Sequence, residues 1–160
     1  MISSNLVYTV SVVVDLLRNK CGKYNIEIDG KDCTGEYAMV ACFNGICMGG
    51  TVTPLKDPRP NDRTLNFVFA SKMSRIRQLR TFIDFAKGKI EKHKGRIRLV
   101  NGQHAEISRA DGKPTVFNCD GECVRGMNNV VKLSSGTLRF VVPENASIIP
   151  PTKLDPESLF

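Results

Sequence analysis

Short runs of strand-forming residues recur along the chain, and several of them end at a glycine turn signal. The clearest run, residues 24–28, alternates polar and apolar residues and is closed by Asp29-Gly30, a common hairpin turn. Asn101-Gly102 and Asp111-Gly112 predict two further turns, and the second would join two strands in a hairpin. Many short strands with frequent turns are typical of a β-sandwich or a barrel. The predicted strands cover residues 24–28, 36–43, 65–70, 96–100, 103–109, 113–119, 129–133 and 138–142.

Two segments have a helical rather than a strand period. From Ser74 to Glu91, apolar residues recur every three or four positions, as on one side of an amphipathic helix. We expect this side to face the core, Ser71 or Ser74 to cap the start, and Gly95 to lie just beyond the end. Residues 5–18 favour a second helix, although their β-branched run would also suit a strand. The apolar stripe of the clearer helix consists of Ile76, Leu79, Ile83, Ala86 and Ile90.

The predicted fold class is therefore mainly β (α+β), an antiparallel β-sandwich-like domain with one or two amphipathic surface helices. Its 160 residues are enough for one domain with a real core. The long irregular stretch from Gly49 to Arg63 is a loop of the kind in which function often lies.

The chain is basic, with a formal net charge of +7. Ten Lys or Arg residues lie between Lys72 and Arg98, against only Asp84 and Glu91. Such a surface can meet an anionic lipid, a nucleic acid or an acidic protein, or it can simply be solvated. Nucleic acid is the poorer candidate, because the chain has no Trp and few aromatic residues that could stack on bases.

Composition argues against several classes of protein. No apolar run approaches the roughly 20 residues needed to span a bilayer, and the first residues lack the positive region of a secretory signal. Six cysteines form no Cys-x-x-Cys pair and only two histidines are present, which argues against a zinc site. We expect reduced thiols in a cytoplasmic protein, with Cys42 and Cys119 buried as small hydrophobic residues.

The segment Phe117-Asn118-Cys119-Asp120-Gly121-Glu122 ends a predicted strand with two carboxylates around a glycine. Acidic residues are disfavoured in strands, so this end either makes a turn or presents acid groups for chemistry. Asp-Gly is a common hairpin signal, which favours the turn. On an extended segment, by contrast, residues i and i+2 point to the same side, and both carboxylates would then face one cleft.

Several landmarks follow one another in a specific order. They are Asn44, Gly49-Gly50, Pro54, Asn61-Asp62, the 65–70 strand, the amphipathic helix, Asp120-Gly121-Glu122 and the closing segment 136–143. This order resembles the C-terminal domain of the diacylglycerol kinase and sphingosine kinase family, particularly its bacterial soluble lipid kinases. The resemblance covers about residues 4–145, and the Asp-Gly-Glu motif and the closing segment are its most specific parts.

The resemblance implies a two-domain lipid kinase that uses ATP and Mg²⁺. An N-terminal α/β domain would bind ATP through a Gly-Gly-Asp-Gly-Thr loop, and a C-terminal domain would bind the lipid and complete the cleft. This chain has no Gly-Gly-Asp-Gly-Thr sequence. We therefore expect residues 1–145 to be the second domain alone, inactive by itself, and residues 146–160 to be a tail that docks on the missing domain.

The resemblance also assigns catalytic roles. Glu122 resembles the proton acceptor for the lipid hydroxyl, and Asp120 is its neighbour in the motif. Which of the two is the base stays open, because two carboxylates this close would titrate as a coupled pair. The alternative for both residues is a polar hairpin tip.

The remaining site residues lie in or near the long loop. Asp62 resembles a ligand of a structural magnesium ion, but this chain reads Asn61-Asp62-Arg63 where the family has Asp-Asp-Gly, so a metal-free loop is the alternative. Gly49 and Gly50 would let the backbone approach the cofactor, with Asn44 orienting the loop. A β-bulge or tight turn would explain the glycines equally well.

The implied partners are a lipid with a free hydroxyl (diacylglycerol or sphingoid-like), an anionic membrane surface bound peripherally, and the N-terminal nucleotide-binding domain. A homodimer is a further option, and no nucleic acid is expected. Two other functions stay open at this point. One is a non-catalytic lipid- or membrane-binding module of the same fold, and the other is a basic nucleic-acid-binding β-domain.

Overall fold

The computed structural model describes residues 18, 21–45, 54–55, 60–136, 138–139 and 141. Within these residues the chain forms nine strands, one α-helix and one short 3-10 helix. In chain order the elements are β1 (Gly22–Ile28), β2 (Lys31–Asp32), β3 (Gly35–Phe43), β4 (Leu65–Ser71), α1 (Arg75–Ala86), the 3-10 helix (Ile90–His93), β5 (Ile97–Gly102), β6 (His104–Arg109), β7 (Thr115–Cys119), β8 (Glu122–Gly126) and β9 (Asn128–Lys132).

Seven of these strands form one antiparallel sheet. Six follow the order β5-β4-β3-β1-β6-β9, and the short β2 pairs with β1 through the turn at Asp29-Gly30. The strands β7 and β8 form a separate two-stranded sheet. The prediction of a mainly β, antiparallel fold with a surface helix is confirmed, and most predicted strands lie within a few residues of their observed positions.

The main sheet rolls over on itself. Gln103 alone separates β5 from β6, although these strands lie four places apart in the sheet order. Neighbouring strands are about 4.8 Å apart, so a flat sheet would hold the two about 19 Å from each other. One residue bridges only about 7 Å. The sheet therefore has to curl until its β5 edge meets β1 and β6, which gives the sandwich-like form.

Strand β4 is buried on both faces and divides two hydrophobic cores. Phe67 and Phe69 point into the roll, whereas Val68 points to the other side, towards Phe85 of α1. In this second core, between sheet and helix, the ring centroids of Phe43 and Phe85 lie 6.3 Å apart. The core inside the roll contains Ile26, Ile28, Cys33, Tyr37, Leu65, Phe67, Phe69, Ala105 and Ile107.

The predicted hairpin between residues 103–109 and 113–119 is wrong. The turn at Asp111-Gly112 exists, with the N–H of Gly112 donating to the carbonyl of Arg109 at 3.2 Å. However, β7 pairs with β8 and not with β6. Strand β6 already pairs with β1 on one edge and with β9 on the other, so it has no free edge for β7.

The turn predicted at Asn101-Gly102 is also wrong. Both residues belong to β5, where they pair with Asn66 and Leu65. A Cβ atom on Gly102 would overlap Cγ2 of Ile28 and lie 2.8 Å from Oδ2 of Asp29. The glycine is therefore needed for a close approach between strands of the rolled sheet, and not for a turn.

The helix ends earlier than the sequence predicts. It stops at Ala86, because Gly88 adopts a left-handed conformation (φ 66) and the N–H groups of Lys87 and Gly88 turn back to carbonyls of the last turn. Gly95, the predicted end, follows the separate 3-10 helix. Ser74 does occupy the N-cap position, although its side chain makes no capping hydrogen bond.

The orientation of α1 is the largest departure from the sequence prediction. The side facing the core carries Thr81 and Phe85, which are both buried. Two of the five residues of the predicted core stripe face outwards, since Ile76 is 78% exposed and Ile83 is 46% exposed, whereas the other three are half-buried. The aromatic residues occupy the inner side because Phe82 and Phe85 pack with Phe43, Val68 and Leu55.

Other predictions fall partly outside the described residues. The helix at 5–18 does so except for Arg18, which is helical, and so does the tail at 146–160. Leu138, Arg139 and Val141, from the predicted last strand, have no regular structure. Cys42 and Cys119 are exposed and not buried, whereas Cys33 is buried. No helix among the described residues is long and apolar enough to cross a membrane.

Candidate functional site

The Asp120-Gly121 pair forms the tip of the β7–β8 hairpin. Cys119 pairs with Glu122, so the loop has only two residues. Both loop residues have positive φ, 50 for Asp120 and 103 for Gly121, as a two-residue turn of the primed type requires. Asn118 holds the turn, because its Oδ1 accepts the N–H of Gly121 at 2.9 Å.

This geometry corrects the expected arrangement of the two carboxylates. The i and i+2 relationship of an extended strand does not apply, because Asp120 is left-handed and Glu122 is the first residue of the returning strand. Both residues are exposed at the tip. The turn interpretation is therefore correct for the backbone, and it leaves two acidic side chains on a protruding tip. Their catalytic roles stay predictions.

The hairpin is anchored at its base and exposed at its tip. At the base Thr115 is buried, and Phe117 packs partly against the core inside the roll. Nδ2 of Asn129 donates to the carbonyl of Gly126 at 3.2 Å and to that of Ile107 at 3.4 Å. Within the hairpin, Val116 of β7 and Val124 of β8 are at least half exposed. A two-stranded hairpin is marginally stable alone, so these contacts at its base stabilise it and hold it against the main sheet.

Asn44 and Asp62 are a second group of predicted site residues, and they lie far from the hairpin loop in sequence. Phe43, at the end of β3, pairs with Asn66, near the start of β4. Asn44 and Asp62 therefore lie at the same end of this strand pair, and both are exposed. Gly49 and Gly50 lie outside the described residues.

Asp62 is held by local hydrogen bonds. Its Oδ1 accepts the N–H of Thr64 at 2.9 Å, and the Thr64 hydroxyl donates to its carbonyl at 3.3 Å. Nearby, Nε2 of Gln103 donates to the carbonyl of Arg63 at 3.0 Å. These contacts fix the loop at the start of β4.

Asp62 is the predicted magnesium ligand of this loop, and this role stays a prediction. Magnesium prefers near-octahedral oxygen ligands, usually with one or two carboxylates. In the part of the chain that the structure covers, no three His, Cys, Asp or Glu side chains come together as a metal cluster. One carboxylate oxygen of Asp62 is also already an acceptor for Thr64. We therefore derive no chemical step through a metal bound at Asp62.

The sequence does not predict a cavity of about 590 Å³ beside β5, the last strand at one end of the sheet formed by the described residues. Its wall includes Lys94, Arg96 and Arg98, together with Tyr37 and Ile90. The guanidinium of Arg98 donates to Sγ of the buried Cys33 at 3.4 Å. The alternation of basic and apolar residues in 96–100 is the only sequence signal near this cavity, and it predicts a strand but not a cavity.

Most of the chain matches one known protein family. The model of one family, described as the YegS C-terminal NAD kinase beta sandwich-like domain, matches residues 1–142. The chain belongs to this family. The two acidic residues of the hairpin tip and the loop at Asp62 thus lie within the YegS C-terminal domain.

Relatives of this YegS-type domain are named as kinases. A Staphylococcus aureus protein (strain Newman) named "Putative lipid kinase" is 39% identical over 69 residues, which make up 42% of this chain and 23% of that protein. The version from strain bovine RF122 / ET3-1 gives the same identity and coverage. The matched segment is therefore a minor part of those proteins.

Solved structures with the same fold come from Bacillus anthracis strain Sterne. One, described as a "putative diacylglycerol kinase", has a TM-score of 0.62 and 19% identity, covering 79% of this chain and 43% of that one. Another, described as a diacylglycerol kinase, has a TM-score of 0.59 and 16% identity, covering 75% and 42%. The chain thus spans less than half the length of these structures, and at this identity the likeness establishes the fold alone.

Proposed function

We propose that this chain is the lipid-binding, proton-accepting half of an ATP-dependent lipid kinase, which transfers the γ-phosphate of ATP to a lipid hydroxyl. Its membership of the YegS C-terminal domain family and the lipid kinase names of its relatives support this proposal. The fold likeness to diacylglycerol kinases is consistent with it. Diacylglycerol or a sphingoid-like lipid would be the substrate.

The observation that carries the proposal is the acidic tip of the β7–β8 hairpin. A turn that only reverses the chain needs one Asp-Gly pair, whereas here the next residue, Glu122, is also acidic and exposed. A hairpin anchored at its base can extend these carboxylates into a cleft formed with another domain. An exposed carboxylate can accept the proton of a hydroxyl that is brought within hydrogen-bond distance.

In the proposed reaction Glu122 acts as the general base. As the lipid oxygen bonds to the γ-phosphorus and ADP leaves, the Glu122 carboxylate takes the hydroxyl proton. Asp120, on the other side of Gly121, orients Glu122 or the hydroxyl. Asp120 is left-handed in the turn, whereas Glu122 begins the returning strand, and these different backbone positions favour different roles for them.

The other half of the site comes from a nucleotide-binding domain. Relatives extend well beyond the matched segment, which leaves room for such a domain. We assign ATP mainly to it, with its magnesium ion, and we place Asn44, Gly49 and Gly50 on the side of the cleft that faces the nucleotide. This chain alone would then be inactive, and the complete kinase would act at the cytoplasmic face of a membrane.

The test uses a protein in which this chain is joined to its nucleotide-binding domain, with Glu122→Gln and Asp120→Asn as variants. Glu106→Gln, an exposed glutamate in β6, is the matched control. We expect Glu122→Gln to lower kcat by about 10²- to 10⁴-fold, since general base catalysis typically contributes this much. Asp120→Asn should cost less, and the control should be unchanged.

Two results would decide against the proposal. Full activity of Glu122→Gln, with an unchanged urea midpoint, would remove Glu122 as the base. Vesicle binding without phosphorylation of any lipid by the wild-type protein would favour a non-catalytic lipid-binding module of the same fold.

A further inference from the structure

The outer ridge of α1 is apolar. Ile76 and Ile83 are seven positions apart and therefore share one side of the helix. They are 78% and 46% exposed, and the buried Thr81 and Phe85 lie on the opposite side. Leu79, between them in sequence, is half-buried. An isolated exposed isoleucine is ordinary, but here two lie on the same outer side of one helix, and nothing in the described part of the chain covers them.

Arginines surround this ridge. Arg75, Arg77 and Arg80 are all exposed on α1. The helix has one acidic residue, Asp84, and its Oδ2 lies 2.9 Å from Nε2 of His93, on a side chain only 25% exposed. The outer face of α1 therefore presents cations and apolar groups without a nearby free carboxylate of its own.

The charge is also concentrated here relative to the rest of the molecule. The 72–98 segment has ten Lys or Arg against two acidic residues, while elsewhere in the chain the acidic side chains slightly outnumber the basic ones. A second copy of the chain would bring the same cations against this face, and like charges in contact oppose association. An apolar ridge between arginines instead has the character of a helix that lies in a membrane interface.

We propose that the outer face of α1 docks the protein on an anionic membrane, with Ile76 and Ile83 inserted among the lipid headgroups and Arg75, Arg77 and Arg80 bound to lipid phosphates. The arginine stems can lie along the apolar boundary while their guanidinium groups reach the headgroups. This inference rests on the proposed function, because an enzyme that phosphorylates a lipid hydroxyl has to reach a bilayer. It goes further in naming the surface.

The first test is sedimentation with vesicles of phosphatidylcholine, with or without phosphatidylglycerol, in the absence of ATP. The double variant Ile76→Ser/Ile83→Ser keeps every charge, and Val130→Ser, an exposed residue of β9, is its control. We expect the double variant to bind anionic vesicles about tenfold more weakly, because it loses the buried apolar area. The control should bind like the wild type.

The second test removes charge. Arg77→Gln/Arg80→Gln is compared with Lys113→Gln/Lys132→Gln, which has the same net charge but changes exposed lysines elsewhere. We expect about tenfold weaker binding and a flatter salt dependence for the arginine variant only. Equal losses in both variants would mean that total charge and not this face governs binding, and the proposal would be wrong.

A third measurement works even if the serine variant folds poorly. The chain has no Trp, so Ile83→Trp introduces a single indole whose emission reports its surroundings. We expect its emission to shift to shorter wavelength on phosphatidylglycerol vesicles, and Val130→Trp to show no shift. An unshifted Ile83→Trp would overturn the proposal.

The outcomes separate this inference from the proposed function. Binding is measured without ATP, so loss of activity in Glu122→Gln does not affect it. Wild-type vesicle binding that is indifferent to Ile76 and Ile83 overturns the docking face but leaves the kinase proposal intact. Concentration-dependent dimers that Ile76→Ser/Ile83→Ser dissolves would instead assign this face to a protein interface.

Discussion

Asp29 Oδ2 lies 2.9 Å from the backbone nitrogen of Gln103, across 74 residues of sequence. Its Oδ1 accepts the N–H of His104 at the same distance, and its own N–H donates to the His104 carbonyl at 3.0 Å. The turn after β1 is therefore hydrogen-bonded to the one residue at which the chain passes from β5 into β6. This contact closes the rolled sheet.

We expect Asp29→Ala to destabilise the domain by about 1–3 kcal/mol, because both hydrogen bonds to a charged acceptor are lost. The left-handed conformation of Asp29 (φ 47) adds to the cost, since Ala tolerates it less well. Asp29→Asn keeps one acceptor and a side chain that suits the turn, so it should cost less. Urea unfolding of the three proteins measures the difference, and an unaltered midpoint for Asp29→Ala would contradict the closing role.

Gly102→Ala tests the same closure by steric overlap. The new Cβ would collide with Ile28 and approach the Asp29 carboxylate, and overpacking of this kind typically costs about 1–3 kcal/mol. Gly95→Ala is the matched control, because a Cβ there has no neighbour within 4 Å. The control should stay within about 0.5 kcal/mol of the wild type. Equal effects of the two substitutions would show that the close approach at Gly102 is relieved easily.

Phe85→Ala and Ile83→Ala test the orientation of α1. Phe85 is 1% exposed in the core between sheet and helix, so its truncation should cost about 3–5 kcal/mol. Ile83 faces outwards, and its truncation should change stability by no more than about 0.5 kcal/mol. The apolar stripe read from sequence predicts the reverse for Ile83. Thermal or urea unfolding distinguishes the two orientations.

The Asp84–His93 contact predicts a dependence of stability on pH. The hydrogen bond from His93 lowers the pKa of the Asp84 carboxyl below its ordinary value of 3.8. A carboxyl whose pKa is lower in the folded state stabilises the fold above its unfolded pKa, and this stabilisation is lost as pH falls through the folded pKa. We therefore expect wild type to exceed Asp84→Asn in urea midpoint at about pH 6, and the gap to shrink at about pH 3.

His93→Ala provides the matching control. It removes the hydrogen-bond donor, so a further Asp84→Asn substitution should add little at either pH. His93 Nδ1 also lies 3.5 Å from Oγ1 of Thr81, so the imidazole ties the 3-10 helix to α1. A wild-type advantage that persists undiminished in acid would show that Asp84 acts through packing and not through its charge.

Strand positions could be predicted from sequence, because alternation and burial along one strand depend on neighbouring residues. The run 65–70 is apolar throughout, and β4 is indeed buried on both faces. Strand partners could not be predicted, because they depend on which edges are already occupied. Asp111-Gly112 makes a good turn, yet β7 leaves the sheet since β6 has no free edge.

The orientation of α1 could not be settled by periodicity. The helix carries one apolar stripe that includes Ile76 and Ile83 and a second apolar side with Phe82 and Phe85. Only the shape of the sheet surface, where Phe43 meets Phe85, decides which side turns inwards. For this reason Ile76 and Ile83, two residues of the most regular stripe in the sequence, are exposed to solvent.

The candidate site was predictable as a motif but not as a geometry. Asp-Gly identified the turn, and Glu122 identified an additional acid. The sequence did not reveal that Asp120 leaves the extended conformation, so the i and i+2 relationship expected for the two side chains does not apply. For the loop at Asp62, the sequence left a magnesium site and a metal-free loop as alternatives, and both stay predictions.

The pairing of β1 with β6 determines when the domain can fold during its synthesis. Ile28 pairs with Ala105, so β1 leaves the ribosome long before its partner exists. Contacts between residues so distant in sequence slow folding, since a long loop has to close before they form. Before β6 is synthesised, the apolar residues of β1 that become buried in the core remain exposed. We therefore expect the nascent chain to need protection from aggregation until residue 109 has emerged.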